Sequence, residues 1–405
     1  MSKDNYLLLG VMLLAALGAF AYFPFVATAL VDFLGLRALN MTTVVAVGMF
    51  VGNTMAYVVS LTLAPATLKP RLFFGYGLIV ASLAAILAAK AAPAALALVI
   101  VAASITSYRF AMGLTANVSR TLQLHYLPAR EQKLRLFSYI KFCTSVGGAA
   151  GPLMGSFAIA RFGFTGVLCL SAGLFIGALV LLAAVARRTA GSVSAAVPAA
   201  VPRGLLRTLQ AQPRMVFLVS LTAMLHFIFE AQIYTAMALH IEQRTPDYVK
   251  LVGMMFALNA ALLVVLTIPV LKVVNGVRGK YKVLACGSLM SVLALLASPL
   301  AGGAVGIALM TLLFTLGEIV TPQILIDMAT DVKHGADAGG AIATFNFMTA
   351  GIGMSIGFWL GGVLAAAPVL AGAVVWCALY AVFLAAAAIC CGAMRRQESG
   401  ALPLG

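Results

Sequence analysis

Charge is what this sequence has least of. Asp, Glu, Lys and Arg make up 9% of its 405 residues, against roughly 25% in an ordinary soluble domain, and so few charges cannot cover a large water-facing surface. No stretch remains for a soluble catalytic domain. The sequence also lacks a G-x-x-x-x-G-K-[ST] run to cradle the phosphates of a nucleotide, which argues against an ATP-driven machine. The four histidines, His125, His226, His240 and His334, are scattered and show no H-E-x-x-H spacing, so a metal-dependent membrane enzyme has no ligand cluster to build on. No metal, no cofactor and no catalytic residue is expected. Cys143, Cys169, Cys286, Cys377, Cys390 and Cys391 all fall in apolar runs without paired metal spacing and read as buried, inert thiols.

What fills the chain instead is apolar sequence: 63% hydrophobic residues and a mean hydropathy of +1.08. A helix needs about 20 apolar residues to cross a bilayer, and such runs follow one another almost end to end. They are read near 6–30, 41–64, 70–90, 93–118, 132–160, 164–187, 214–240, 249–271, 280–300, 302–328, 339–366 and 368–393. The runs are continuously apolar, whereas membrane barrel strands alternate polar and apolar residues. The expectation is an all-α membrane protein with twelve spans, and the lipid bilayer is its solvent.

The formal charge of +15 invites a nucleic-acid reading, but the placement of the charges argues against one. Of the 26 Lys and Arg, only Arg37, Lys90, Arg161, Arg244 and Lys250 fall on one side of the twelve-span arrangement, and Arg109 falls within a span. The rest gather on the other side, at Lys69, Arg71, Arg130, Lys133, Arg135, Arg187, Arg188, Lys272 and Lys280 among others. That asymmetry is the positive-inside pattern and puts both termini in the cytoplasm. Ala19-Phe20-Ala21 has the small-residue look of a cleavage site, but the apolar run continues to Leu30, too long for a removed leader.

An Ala-, Ser- and Pro-containing segment between Arg188 and Pro213 divides the chain. The expected organisation is an N-terminal bundle over 1–187, a cytoplasmic linker over 188–213 and a C-terminal bundle over 214–405. A shift of 206 residues lays Pro93 on Pro299, and Gly147, Gly151 and Gly155 on Gly353, Gly357 and Gly361, which implies tandem six-helix units. Residues at i, i+4 and i+8 share a helix face, where glycine lets a neighbouring backbone come close.

The six-plus-six repeat with a central linker resembles the major facilitator superfamily, and the resemblance covers the whole chain. Gly147-Gly148-Ala149-Ala150-Gly151-Pro152-Leu153-Met154-Gly155 is similar to the G-x-x-x-G-P-x-x-G motif of the drug/proton antiporters, with Gly147, Gly151, Pro152 and Gly155 as its structural residues. Arg109-Phe110-Ala111-Met112-Gly113 resembles the R-x-x-x-G motif, whose arginine is implicated in proton coupling. The loop between spans two and three departs from the pattern. Ala64-Pro65-Ala66-Thr67-Leu68-Lys69-Pro70-Arg71 lacks the acidic residue and glycines the family places there, which identifies a divergent member. The resemblance implies two pseudo-symmetric six-helix bundles and a central cavity lined by spans one, four, seven and ten.

Ionisable side chains are costly near the bilayer centre, roughly 2.5–3.5 kcal/mol on insertion scales, and mark functional positions. Arg109, Glu230 and Glu318 lie in spans four, seven and ten, and Asp32 near the outer end of span one. His226 stands four residues before Glu230, on the same helix face. These five are the proton-coupling candidates, Glu230 foremost, and Arg109 could hold a carboxylate or an anionic group of the solute by paired hydrogen bonds. Tyr22, Phe25, Asn117, Phe227, Gln232, Tyr234 and Asn259 are the candidates for lining a solute site. The partners expected are protons and a small organic solute.

The antiporter-type ladder favours export of a siderophore or an amphiphilic drug by a monomer in a bacterial inner membrane. An uptake symporter or uniporter, and a membrane sensor or scaffold without transport, are the alternatives. The charge asymmetry predicts that a fluorescent protein fused after Gly405 lights up, while alkaline phosphatase is inactive there and active when inserted after Arg244; the reverse pattern would invert the topology.

Overall fold

The computed structural model describes residues 3–26, 30, 33, 35, 38–60, 68–125, 130–188, 214–275, 277, 279–300, 303–331 and 344–398. No strand occurs among them. Eleven of their helices are long and apolar enough to cross a membrane, and one of these, Cys143–Arg187, has 45 residues. At 1.5 Å per residue it measures about 68 Å, more than twice the ~30 Å of a hydrocarbon core. It belongs to a helical stretch, Arg130–Arg188, that breaks at Gly163. With φ 65° and ψ −167° there, a conformation only glycine adopts without strain, the arms 130–162 and 164–188 are separate passes.

Twelve helices follow among the described residues. They are α1 (Lys3–Tyr22, running into a 3-10 turn at Phe23–Phe25), α2 (Ala38–Ser60), α3 (Leu68–Ala89), α4 (Ala94–His125), α5 (130–162) and α6 (164–188). The second set is α7 (Arg214–Glu242, broken at Ala231–Tyr234), α8 (Tyr248–Asn275), α9 (Lys280–Ala297), α10 (Ala304–Asp331), α11 (Thr344–Ala365) and α12 (Val369–Glu398). At two of the described connections, Pro93 ends the turn before α4, and Gly279, at φ 110°, turns the chain into α9. Arg71, near the start of α3, donates to the carbonyl of Val59 at 3.4 Å, one of the last carbonyls of α2.

The chain forms two compact units. One comprises Met1–Leu36, Val47–Arg203 and Val252–Ala260, and the other Arg37–Ala46, Gly204–Leu251 and Ala261–Gly405. Arg37–Ala46 goes with the unit that holds 261–405, and Val252–Ala260 with the unit that holds 47–188. Glycine contacts accompany both placements: Gly253 lies against Pro152 and Ser156 in the first unit, and Gly362 against Thr42 in the second. The expected linker lies outside the described residues beyond Arg188.

Within the first unit the glycine ladder of α5 lies on α1. Gly147 meets Ala16 and Leu17, Gly151 meets Leu17, Phe20 and Ala21, and Gly155 meets Ala21 and Phe25. Ser171 of α6 reaches the other side of α1, donating to the carbonyl of Gly18 at 2.8 Å. Within the second unit the matching ladder of α11 lies on α7, with Gly353 at Met224 and Phe227, Gly357 at Ile228 and Ala231, and Gly361 at Gln232 and Thr235. The helix pairing is thus repeated, with α1 and α5 corresponding to α7 and α11. The thiols depart from expectation: Cys143 and Cys390 are buried, but Cys169, Cys286 and Cys377 are exposed on helix faces. A thiol is apolar enough to face hydrocarbon as readily as a core.

A Cβ at Gly151 would fall 2.7 Å from that of Phe20 and 3.0 Å from the backbone of Ala21, whereas Gly173 has nothing within 4 Å. Gly151→Leu is expected to lower stability by about 1–3 kcal/mol, read as a reduced unfolding midpoint in detergent, while Gly173→Ala holds or raises the midpoint.

Candidate functional site

In the first unit Arg109 is positioned by its neighbours on α1 and α2. Gly48 and Gly52, one turn apart on α2, admit α4 so closely that a Cβ at Gly52 would lie 2.8 Å from that of Arg109. This approach brings Met49 of α2 to the arginine, and Nη2 donates weakly to its Sδ at 3.5 Å. On another side the guanidinium lies over the ring of Phe23, 3.6 Å from the centroid, a cation–π contact that helps hold a cation away from water. Phe23 reaches that position because Pro24 converts the end of α1 into a 3-10 turn. Tyr22 and Tyr108 pack edge to face at 5.2 Å, and Tyr108 directly precedes Arg109 on α4. Both phenol oxygens are buried without a hydrogen-bond partner.

In the second unit Glu230 is the last residue of the Arg214–Glu230 helix, directly before the 3-10 segment Ala231–Tyr234. Mid-helix 3-10 geometry often marks a functional hinge. Here no proline causes it. Gln232 Nε2 instead donates to the carbonyls of Ile228 at 2.6 Å and Gly357 at 2.9 Å. Thr235, at φ −129° and ψ −89°, ends the segment, and its hydroxyl bonds to the Gln232 side-chain oxygen at 3.2 Å. Glu230 is half-buried, with Oε2 fully enclosed. Tyr22 and Glu230 occupy corresponding places, each immediately before the 3-10 turn of its unit. On α11 the stretch that packs on the preceding Arg214–Glu230 helix is itself irregular, a π-helix over Phe347–Gly353 whose last glycine meets Met224 and Phe227, a geometry frequent at functional sites.

The remaining candidates are distributed unevenly. His226 is fully buried inside the second unit, with Nδ1 3.2 Å from the Ser288 hydroxyl and the ring walled by Phe227, Phe229 and Phe383. Ser288 in turn lies 3.5 Å from Thr321 of α10. Glu318 is half-buried and follows Gly317, which packs against Gly287 and Ser291 of α9. Phe25 is fully buried against Gly155, Tyr234 stacks on Phe358 at 6.1 Å, and Asn259 is buried within the first unit. Asp32 and the side chain of Asn117 lie outside the described residues. Sequence reasoning missed Tyr108, Met49 and the Ser288–Thr321 pair; the i, i+4 spacing of Gly48 and Gly52 beside an intramembrane arginine was the available signal for the first two.

No family model matches the chain, and no curated protein matches it. Solved structures do. A crystal structure of the peptide transporter POT in complex with alafosfalin aligns over 98% of this chain and 95% of its own, with a TM-score of 0.76 and 15% identity. A POT family transporter in complex with 5-aminolevulinic acid gives 0.74 at 12% identity, over 96% of this chain and 95% of its own. A bacterial homologue of the iron transporter ferroportin, in an inward-facing state, gives 0.69 at 15% identity over 96% and 98%. The fold is that of the major facilitator transporters. These neighbours are transporters rather than enzymes, and at such identities the likeness speaks for the fold.

The bonds of Gln232 separate two roles for it. If its amide holds the α7 break against α11, Gln232→Met lowers the unfolding midpoint by the equivalent of about 1 kcal/mol; if it serves a solute instead, the midpoint stays and solute affinity falls.

Proposed function

We propose that this chain is a proton-coupled secondary transporter that exports a small organic solute, of siderophore or amphiphilic-drug type, across a bacterial inner membrane. In this reading the halves 1–187 and 214–405 alternate access to a central solute path, and each monomer carries its own path. The observation that supports it best is the position of Glu230 at the 3-10 break of α7, where a helix can change shape around an ionisable group. A carboxylate there releases its proton when open to one side and regains it when open to the other. Arg109 is the proton-coupling cation of the first unit, and Glu318 is the second carboxylate of the second. The antiporter-type ladder, whose glycines let α5 lie against α1, supports export. His226, bound to Ser288 inside the second unit, acts in this reading by holding α7 in place and not as a proton carrier.

Uptake with protons is the second reading, and the peptide-transporter likeness favours it. The test is direct. In proteoliposomes with an imposed pH gradient, lipophilic cations and apo-siderophores are added and proton movement across the membrane is followed. A solute of the exported class drives protons one way through the native chain, while Glu230→Gln abolishes coupled movement and keeps solute exchange without a gradient. Protons moving with the solute establish uptake. Protons that respond to no solute, or a native-like Glu230→Gln, refute the coupling proposed for Glu230.

A further inference from the structure

The part of α7 beyond the break, Ala236–Glu242, is fastened at its far end by two side chains. Gln243 Nε2 donates to the carbonyl of Ala365, the last residue of α11, at 3.1 Å. His240 Nδ1 lies 2.9 Å from the hydroxyl of Ser298, in the 3-10 turn Ser298–Leu300 that follows α9. Ser298 decides which ring nitrogen carries the proton. Its one hydroxyl hydrogen goes to the carbonyl of Leu295 at 2.8 Å, so its oxygen accepts from the imidazole and Nδ1 is the donor. Nε2 is then the basic nitrogen of the neutral ring. It makes no hydrogen bond among the described residues and, unlike Nε2 of His226, is not enclosed.

His240 also lines a cavity of about 20 Å³ whose other walls, at the ends of α9, α11 and α12, include Leu295, Pro299, Leu364, Val369 and Trp376. That is room for about one water, enough to bring a proton to Nε2. No other wall residue is titratable. The charged residues beside the ring in sequence, Glu242 and Arg244, are on its own segment, with Arg244 exposed one turn on and its amide bonded to the carbonyl of Ile241 at 3.1 Å. A proton on Nε2 spares the donor at Nδ1, but it adds a second N–H and a positive charge that apolar walls cannot match. Water matches both, so the charged ring gains by leaving the cavity, and its bond to Ser298 goes with it. We propose that His240 and Ser298 form a proton-operated latch on the Ala236–Glu242 segment, closed while the ring is neutral and released by a proton. The latch rests on the transport reading for its purpose, because a freed segment lets α7 bend at Ala231–Tyr234, and it gives that break a control separate from Glu230.

Trp376 reports on the cavity, since the one other tryptophan, Trp359, can be replaced. In the full Trp359→Phe chain in detergent, Trp376 emission is expected to change along a single titration as pH falls from about 8 to about 5. His240→Gln, which still donates to Ser298 but takes up no proton, removes that change. Release is read separately by hydrogen exchange of amides 236–242, corrected for the intrinsic exchange rate at each pH. Exchange there is expected to rise about tenfold across the titration in the native chain and to stay level in His240→Gln, with the amides of α9 as the control. Ser298→Ala is expected to exchange fast in the segment at either pH. A Trp376 titration without faster exchange would overturn the latch, because the ring would then be protonated in place. So would an emission change that survives His240→Gln, or exchange that rises equally in α9. Neither readout needs transport: a segment released by protons in a chain that moves no solute leaves the latch standing and refutes the transport reading, whereas Glu230-dependent transport with pH-insensitive exchange at 236–242 does the reverse.

Discussion

Close backbone contact at glycine is the constraint on which the rest of this structure depends. In a bilayer no hydrophobic force pulls one helix onto another, because lipid tails are as apolar as the side chains they would replace; packing at small residues supplies the attraction. Gly147, Gly151 and Gly155 seat α5 on α1, and Gly353, Gly357 and Gly361 seat α11 on α7. Both seats lie beside a 3-10 break, at Phe23–Phe25 and Ala231–Tyr234. In the second unit the dependence is explicit, because Gln232 reaches the carbonyl of Gly357 only where α11 lies this close. On α2, Gly48 and Gly52 do for Arg109 what the ladders do for the breaks.

Several polar groups inside the helices are matched within their own unit or placed at a helix break. His226 is matched by Ser288, and Gln232 by two carbonyls. An arginine at membrane depth costs roughly 2.5–3.5 kcal/mol, and a desolvated cation–π contact returns about 2 kcal/mol, so the Phe23 face offsets a large part of the cost. Glu230 stands at a break, where backbone irregularity and a carboxylate meet. A bundle built for rigidity would have no use for a 3-10 segment around Gln232 or a π-helix packed on the helix before it.

Much of this was legible in the residues. Composition decided the class, because few charges and continuous apolar runs admit one solvent. The ladders were readable as contacts through their i, i+4, i+8 spacing, although only the structure showed that their partners are α1 and α7. Span one was read straight through Pro24, whose ring ends α1 in a 3-10 turn, and nothing at Ala231–Tyr234 marks a break by composition: that break goes with a glutamine bonding across to α11, a tertiary effect that periodicity does not carry. The same limit explains why Gln232 read as a lining amide, and why His226, on the helix face it shares with Glu230, could not be recognised as enclosed. Direction along a helix is set by spacing, but enclosure is set by the neighbour. The exposed cysteines teach the same lesson from the outside, since an apolar sequence does not distinguish a core face from a lipid face.

The central claim is that the α7 break is a moving part, open to one side of the membrane at a time. Tyr234→Cys, in a chain whose six native cysteines are replaced by serine, places a thiol at the half-buried end of the 3-10 segment. Labelling by a membrane-impermeant maleimide, applied to each face of oriented vesicles under opposite pH gradients, tests the claim most directly. The account predicts labelling from one face under one gradient and from the other face when the gradient is reversed. Labelling from the same face under both gradients, or from neither under any, would contradict it.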